Sequence, residues 1–272
     1  MSSVAVSSGF GRTAALFNSV VGKKIVMAVT GAILFGFVTV HMIGNLQIYL
    51  GPDRINAYGK FLQENVELLW PARIILLTAV ALHVLAAWQL TILNNFKARP
   101  VAYVKKTALA STYAARTMVW SGPIIGCFIV YHILHFTTMQ AYPGVAPDDV
   151  YNKVIYGFQR QPAAAVFYIV ANILLATHLY HGVWSLFQTL GVNHPRYTPW
   201  LKAGSKLFGI VIGIGNCSIP LAVLLKVLPR TLEGREGETK DVIYARRPHS
   251  FRPAREQMGQ GQVRIQAGQS VQ

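Results

Sequence analysis

The chain has 272 residues, of which 53% are hydrophobic and only 13% charged, with 25 Lys and Arg against 10 Asp and Glu. Soluble globular domains carry about 25% charged residues, so that class is disfavoured, and the aliphatic and aromatic content argues against disorder for most of the chain. The net charge of +15 suggests nucleic acid only until its distribution is followed along the sequence.

Residues 1–22 are a short N-terminal segment holding Arg12, and Lys23 and Lys24 follow it. Five apolar runs come next, at about 25–50, 68–93, 117–140, 163–190 and 207–229. Each meets the length of about 20 residues that a bilayer-spanning helix needs, and none contains Asp or Glu. Period-two alternation is absent, which disfavours a β-barrel. The first run is too long for a signal-peptide core and has no cleavage site after it, so it reads as a retained helix. The connections at 51–67 and 141–161 are long enough to hold short surface helices. Pro71 and Pro123 fall near predicted helix starts, where a missing N–H costs little, and Pro220 predicts a kink in the fifth helix. Cys127 and Cys217 are too far apart for a CxxC site and read as small buried apolar residues.

Charge then orders the connections. Arg12, Lys23 and Lys24 precede the first run; Lys97, Arg99, Lys105, Lys106 and Arg116 lie between the second and third; Arg196, Lys202 and Lys206 lie between the fourth and fifth. Asp53, Glu64, Glu67, Asp148 and Asp149 lie in the other two connections. Positive-inside logic places the N-terminus in the cytoplasm and the C-terminus outside, and the basic segments fit a membrane surface rather than nucleic acid. The tail, 230–272, is polar and aperiodic, and disorder is expected there. The expected fold is an all-α integral membrane protein, a five-transmembrane-helix bundle.

Six of the eight histidines lie in the first four runs: His41, His83, His132, His135, His178 and His181. An ionisable side chain inside a membrane helix is costly and marks a functional site by default. A lone histidine there is as readily an interhelical hydrogen-bond partner, but four consecutive helices each supplying one point to a common purpose. With helices alternating in direction, His41 and His132 lie roughly 5 Å to the outer side of their midpoints and His83 and His178 roughly 3 Å to the inner side. Two layers of paired imidazoles without carboxylates or thiolates are a ligand set for bis-histidine haem b between helices, not for zinc or di-iron. Small neighbours such as Gly44, Ala79, Ala86, Ala87, Ala171 and Gly182 would give a macrocycle room, although they also let bare helices approach.

Three stretches are also familiar. GKKIVMAVTGAILFGFVTVHMIGNLQIYLG (22–51), RTMVWSGPIIGCFIVYHILHFTT (116–138) and HLYHGVWSLFQTLG (178–191) resemble the b558-type cytochrome b subunit of succinate dehydrogenase. The match rests on HMxGNL around His41, SGP with YH around His132 and HxxxG around His178, and it extends over about residues 20–229. The resemblance implies five helices, two haems b, and axial ligands His41, His83, His132 and His178. His135 and His181, each one turn from a candidate, remain alternates that would otherwise bond a propionate, a quinone or a carbonyl. It further implies a membrane anchor in the bacterial inner membrane. Such an anchor carries electrons from an iron–sulfur subunit, itself fed by a succinate-oxidising flavoprotein subunit, to a quinone, with menaquinone favoured. The succinate site belongs to the partners.

Lys23, Lys24 and Arg116 are candidate propionate partners, or simply topology anchors. Glu64 and Glu67 are candidate quinone-site acids, or solvated loop carboxylates. His194 and His249 read as solvated. A quinol:fumarate reductase anchor, an unrelated dihaem cytochrome b and a haem-free transporter or channel with proton-relaying histidines stay open, as does a higher oligomer.

Overall fold

The structure, a computed structural model, describes residues 19–94, 113–138, 145–146 and 148–228. Among the described residues there is no strand. The segments 1–18 and 95–112 and the tail with His249 lie outside them, so the expectation of a disordered tail concerns residues the structure does not describe.

Helix α1 (Val20–Leu46) starts at Ser19, whose hydroxyl accepts the Gly22 N–H at 2.9 Å. It tightens into a 3₁₀ turn, Gln47–Leu50, and stops at Gly51, whose φ of +100° suits glycine. Pro52 then opens α2 (Pro52–Glu64), a position where its missing N–H leaves nothing unpaired. Next come α3 (Val66–Ile92) and α4 (Tyr113–Ile133), the latter running into a π-helical turn, Leu134–Thr138. Helix α5 (Val150–Arg160) is capped by Asp149, which accepts the Asn152 N–H at 3.1 Å. Helix α6 (Pro162–Thr189) ends at Gly191, φ +78°, with Val192 N–H donating back to the Phe187 carbonyl at 2.9 Å. Helix α7 (Thr198–Leu224) closes the described chain.

Helices α1 with its 3₁₀ turn, α3, α4 with its π turn, α6 and α7 are the five that are long and apolar enough to cross a membrane. Their outer surface is apolar: Trp120, Leu77 and Ile214 are among many large side chains left exposed. Such a surface is solvated by lipid tails, whereas water would not tolerate its extent. Lipid supplies no hydrophobic force between helices, so their association needs close backbone approach. Helices α6 and α7 achieve it through glycine. A Cβ added at Gly209 would stand 2.6 Å from the Ala176 carbonyl oxygen, and one at Gly213 2.9 Å from the Ala176 Cβ. Helix α1 packs on α3 and on α6, and α4 packs on α6.

The two short helices cover the end of the bundle where α1 finishes, and this is called the cap end below. Asn56 on α2 donates to Asp149 at 3.0 Å and accepts the Tyr151 N–H at 2.9 Å. Beneath them Ile48, Ile55, Tyr151, Ile155 and Phe158 are buried together.

Several expectations need correction. The fifth helix begins at Thr198, earlier than the apolar run, and takes Lys202 and Lys206 into its first three turns. Pro123 is internal to α4 rather than near its start, whereas Pro71 lies in the second turn of α3 and Pro220 mid-helix in α7. Cys127 is exposed and not buried, and Cys217 is half-buried with Sγ 3.6 Å from the Ile169 carbonyl.

Candidate functional site

Four helices aim histidines inward, and the structure brings them together in two pairs. The rings of His41 on α1 and His132 on α4 stand 5.7 Å apart between centroids. Those of His83 on α3 and His178 on α6 stand 6.5 Å apart. Among the described residues, neither α1 with α4 nor α3 with α6 is one of the extensively packed helix pairs. Each histidine pair therefore joins helices outside the main packing seams.

The two pairs lie at different heights. The His83 ring touches α1 at Thr30, 11 residues before His41, and the His178 ring touches α4 at Ser121, 11 residues before His132. At 1.5 Å per residue both helices give a separation of about 16 Å. On α6, Tyr168 meets His132 and lies 10 residues before His178, giving about 15 Å. Three helices thus agree on a cap level, His41 with His132, and a far level, His83 with His178.

Hydroxyl groups hold three of the four rings from behind. Thr30 donates its proton to the Val26 carbonyl at 2.7 Å and lies 3.1 Å from His83 Nδ1. With its proton engaged, the hydroxyl accepts from Nδ1–H, which leaves His83 Nε2 as the ring's bare nitrogen. Ser121, 2% exposed, lies 3.4 Å from His178 Nδ1. Tyr168 lies 3.3 Å from His132 Nδ1 and 3.1 Å from His135 Nδ1. His41 stacks on Phe37, one turn earlier, at 5.2 Å. The His83 ring lies beside Gly31 on α1, where a Cβ would make ordinary contact with it at 3.4 Å.

The alternates take other places. His135, in the π turn, is buried against Phe136, Tyr131 and Tyr168 and is not paired with His41. A π turn redirects side chains relative to an α-helix and recurs at functional sites. His181 is half-buried and is not the ring that faces His83. His194 is a surface residue whose Nδ1 accepts the Arg196 N–H at 3.2 Å.

Lys23, Lys24 and Arg116 fall at the far end of α1 and α4, roughly 8–10 Å along the helices from Thr30 and Ser121. Lys24 and Arg116 are exposed. Glu64 and Glu67 are exposed at the cap end, where Glu64 pairs with Lys60 at 3.7 Å. Of the small residues expected to make room, Gly182 does face open space. Gly44 does not: a Cβ there would overlap the Tyr58 ring at 2.6 Å, so its smallness admits α2. Ala171 is likewise enclosed in the core beside Tyr168.

Among the described residues, no group of three or more His, Cys, Asp or Glu could hold a metal ion unaided. The donor set is two imidazoles at each level. Two imidazoles on opposite sides of one metal, each bound at about 2 Å, stand with ring centroids roughly 6 Å apart. The separations of 5.7 and 6.5 Å bracket that value, so both pairs fit a metal whose remaining ligands come from a macrocycle. No family model matches the chain, and no curated protein or solved structure matches it either. The fold and site define an all-α protein with five membrane-length apolar helices and two half-buried histidine pairs.

Proposed function

We propose that the chain is a multi-pass dihaem cytochrome b, the membrane anchor of a succinate dehydrogenase in the bacterial inner membrane. The observation that supports it best is the pairing of four histidines from four helices, at two levels, between helices outside the main packing seams. His41 and His132 would hold one haem b and His83 and His178 the other. Bound there, the haems supply reversible one-electron chemistry between an iron–sulfur partner, served by a flavoprotein, and a quinone such as menaquinone.

The chain's own residues supply the rest. Thr30 and Ser121 orient the far pair and Tyr168 orients His132 of the cap pair, because a ring nitrogen engaged from behind would direct the other toward a bound metal. The apolar shell excludes water and lowers the local dielectric around both levels. Lys23, Lys24 and Arg116 cluster at the far end, where cations suit haem propionates, a partner subunit or anionic lipid. With that end cytoplasmic, the positive-inside pattern is obeyed and the far level is the one nearer the partners. The helix resemblance around residues 22–51, 116–138 and 178–191 supports succinate dehydrogenase in particular.

The test is purification of the tagged chain from its native membranes. The reading expects a flavoprotein and an iron–sulfur subunit to accompany it, and succinate to produce a b-type reduced-minus-oxidised spectrum. Absence of haem absorption would overturn it in favour of a haem-free transporter or channel. Haem without those subunits would leave a different dihaem cytochrome b.

A further inference from the structure

Ser205, Gly209, Ile212, Asn216, Ile219 and Val223 form one stripe on α7, spaced by four and three residues in turn. Ile212, Ile219 and Val223 are 1%, 8% and 0% exposed, whereas Asn216 between them is only half-buried, so space lies in front of its carboxamide. Among the described residues that carboxamide makes no hydrogen bond, while its neighbours Cys217 and Ser218 engage the carbonyls of Ile169 and Gly215. On α6, Asn172 is 6% exposed and gives one N–H to the Tyr168 carbonyl at 2.8 Å. Its other N–H and its oxygen have no partner among the described residues. The two asparagines share one height. Ala176 stands against Gly213 where α6 and α7 meet. Toward the cap from that contact, Asn172 is four residues along α6 and Asn216 three along α7, about 6 and 4.5 Å. Both border α1: each lies one turn from a residue, Leu175 or Ile212, that packs with Met42. They stand where the apolar cluster of Met42, Leu179 and Ile212 gives way to that of Tyr168, Ala171 and Ile219.

A carboxamide carries two N–H donors and an oxygen acceptor, and leaving them unpaired in an apolar bundle is costly because lipid offers no partner. We propose that Asn172 and Asn216 form a binding site for one small neutral hydrogen-bonding molecule, a water, at the junction of α1, α6 and α7. Water has the matching chemistry. It accepts an N–H from Asn216 and donates to the Asn172 oxygen, the two polar partners that a buried water needs. A larger ligand is kept out by Met42, whose sulfur a Cβ at Gly215, the residue beside Asn216, would overlap. An ion would find no counter-charge, since α6 carries no Asp, Glu, Lys or Arg and α7 none after Lys206. The bridged water pins α6 to α7 in a setting where no hydrophobic force holds helices together. The site stands apart from the haem reading: α7 has no histidine, and Asn172 lies about 120° around α6 from His178.

The experiment is water-edited solid-state NMR on the full chain, labelled with ¹³C and ¹⁵N, as purified and in lipid, reduced so that any low-spin iron is diamagnetic. Asn172→Leu and Asn216→Leu assign the side-chain amides. Both carboxamide nitrogens should receive polarisation from water at short mixing times, while the Ile212 and Leu179 methyls beside them do not. Transfer to neither asparagine or to only one overturns the proposal, as does a direct Asn172–Asn216 contact of hydrogen-bond length. Asn172→Leu should remove the water signal from Asn216, and Asn216→Leu that from Asn172; a signal that survives overturns the shared site. Each single substitution should lower the unfolding midpoint by stranding the other carboxamide. The double substitution should recover most of that loss, because it strands none. Losses that add in the double variant also overturn the proposal. Should a variant fail to accumulate, the spectrum of the unsubstituted chain still decides.

Discussion

Hydroxyls in apolar helices usually turn back on their own backbone, as Thr39 does on Phe35, Thr91 on Ala87 and Ser205 on Leu201. Ser121 and Tyr168 reach a histidine on another helix, and Thr30 does so while also turning back on Val26. Nothing in the sequence separates the two groups, because the distinction depends on which helix lies opposite. The histidines were legible, since a titratable side chain in an apolar run stands out, and depth alone suggested which helices to pair. Gly31 was missed and Gly44 misread for one reason: small size shows that something comes close without saying what. Thr30→Val keeps the shape and removes the acceptor behind His83. Haem affinity at the far level should fall about 10- to 100-fold, as read by titrating haem into the stripped protein. An unchanged affinity would show that Thr30 is only a neighbour. His178→Ala should abolish one low-spin haem signal, since His178 is the ring that faces His83 among the described residues. His181→Ala should leave both signals, and the opposite result would move the ligand role to His181.

At the scale of elements, hydropathy located the five long helices but not all their ends. The fifth gains its early start from Thr198-Pro199, a helix-opening pair that precedes the apolar run. Both surface helices were expected from connection length alone. Their mutual contact was not, because Asn56 and Asp149 are 93 residues apart and each is an ordinary loop residue when read locally. Asn56→Ala would leave the Tyr151 N–H without its acceptor beside a side chain that is 1% exposed. The expected cost is about 1–3 kcal/mol, seen as a lower unfolding midpoint and faster amide exchange in α5, with the far level undisturbed. Equal loosening at both ends of the bundle would contradict the cap as a local unit. Gly209→Leu should be harsher. A side chain there meets the α6 backbone at Ala176, so α6 and α7 must separate or the protein fails to accumulate in the membrane. Normal accumulation and stability would show that this seam is not what holds the two helices together.

On the scale of the whole molecule, the architecture is an antiparallel set of long helices whose interior holds imidazoles at two heights. The two heights follow from where each helix carries its histidine. The heights are separated by about 16 Å along α1 and α4. That spacing leaves each pair its own site, so loss of one should spare the other. His41→Ala should remove one haem, His83→Ala the other, and the double substitution both.

The most direct test of the central claim is the ratio of protohaem to polypeptide in the purified protein. Two bis-histidine levels predict about two haems per chain. A ratio near one would mean that one histidine pair is structural, and a chain that folds in the membrane without haem would contradict the account.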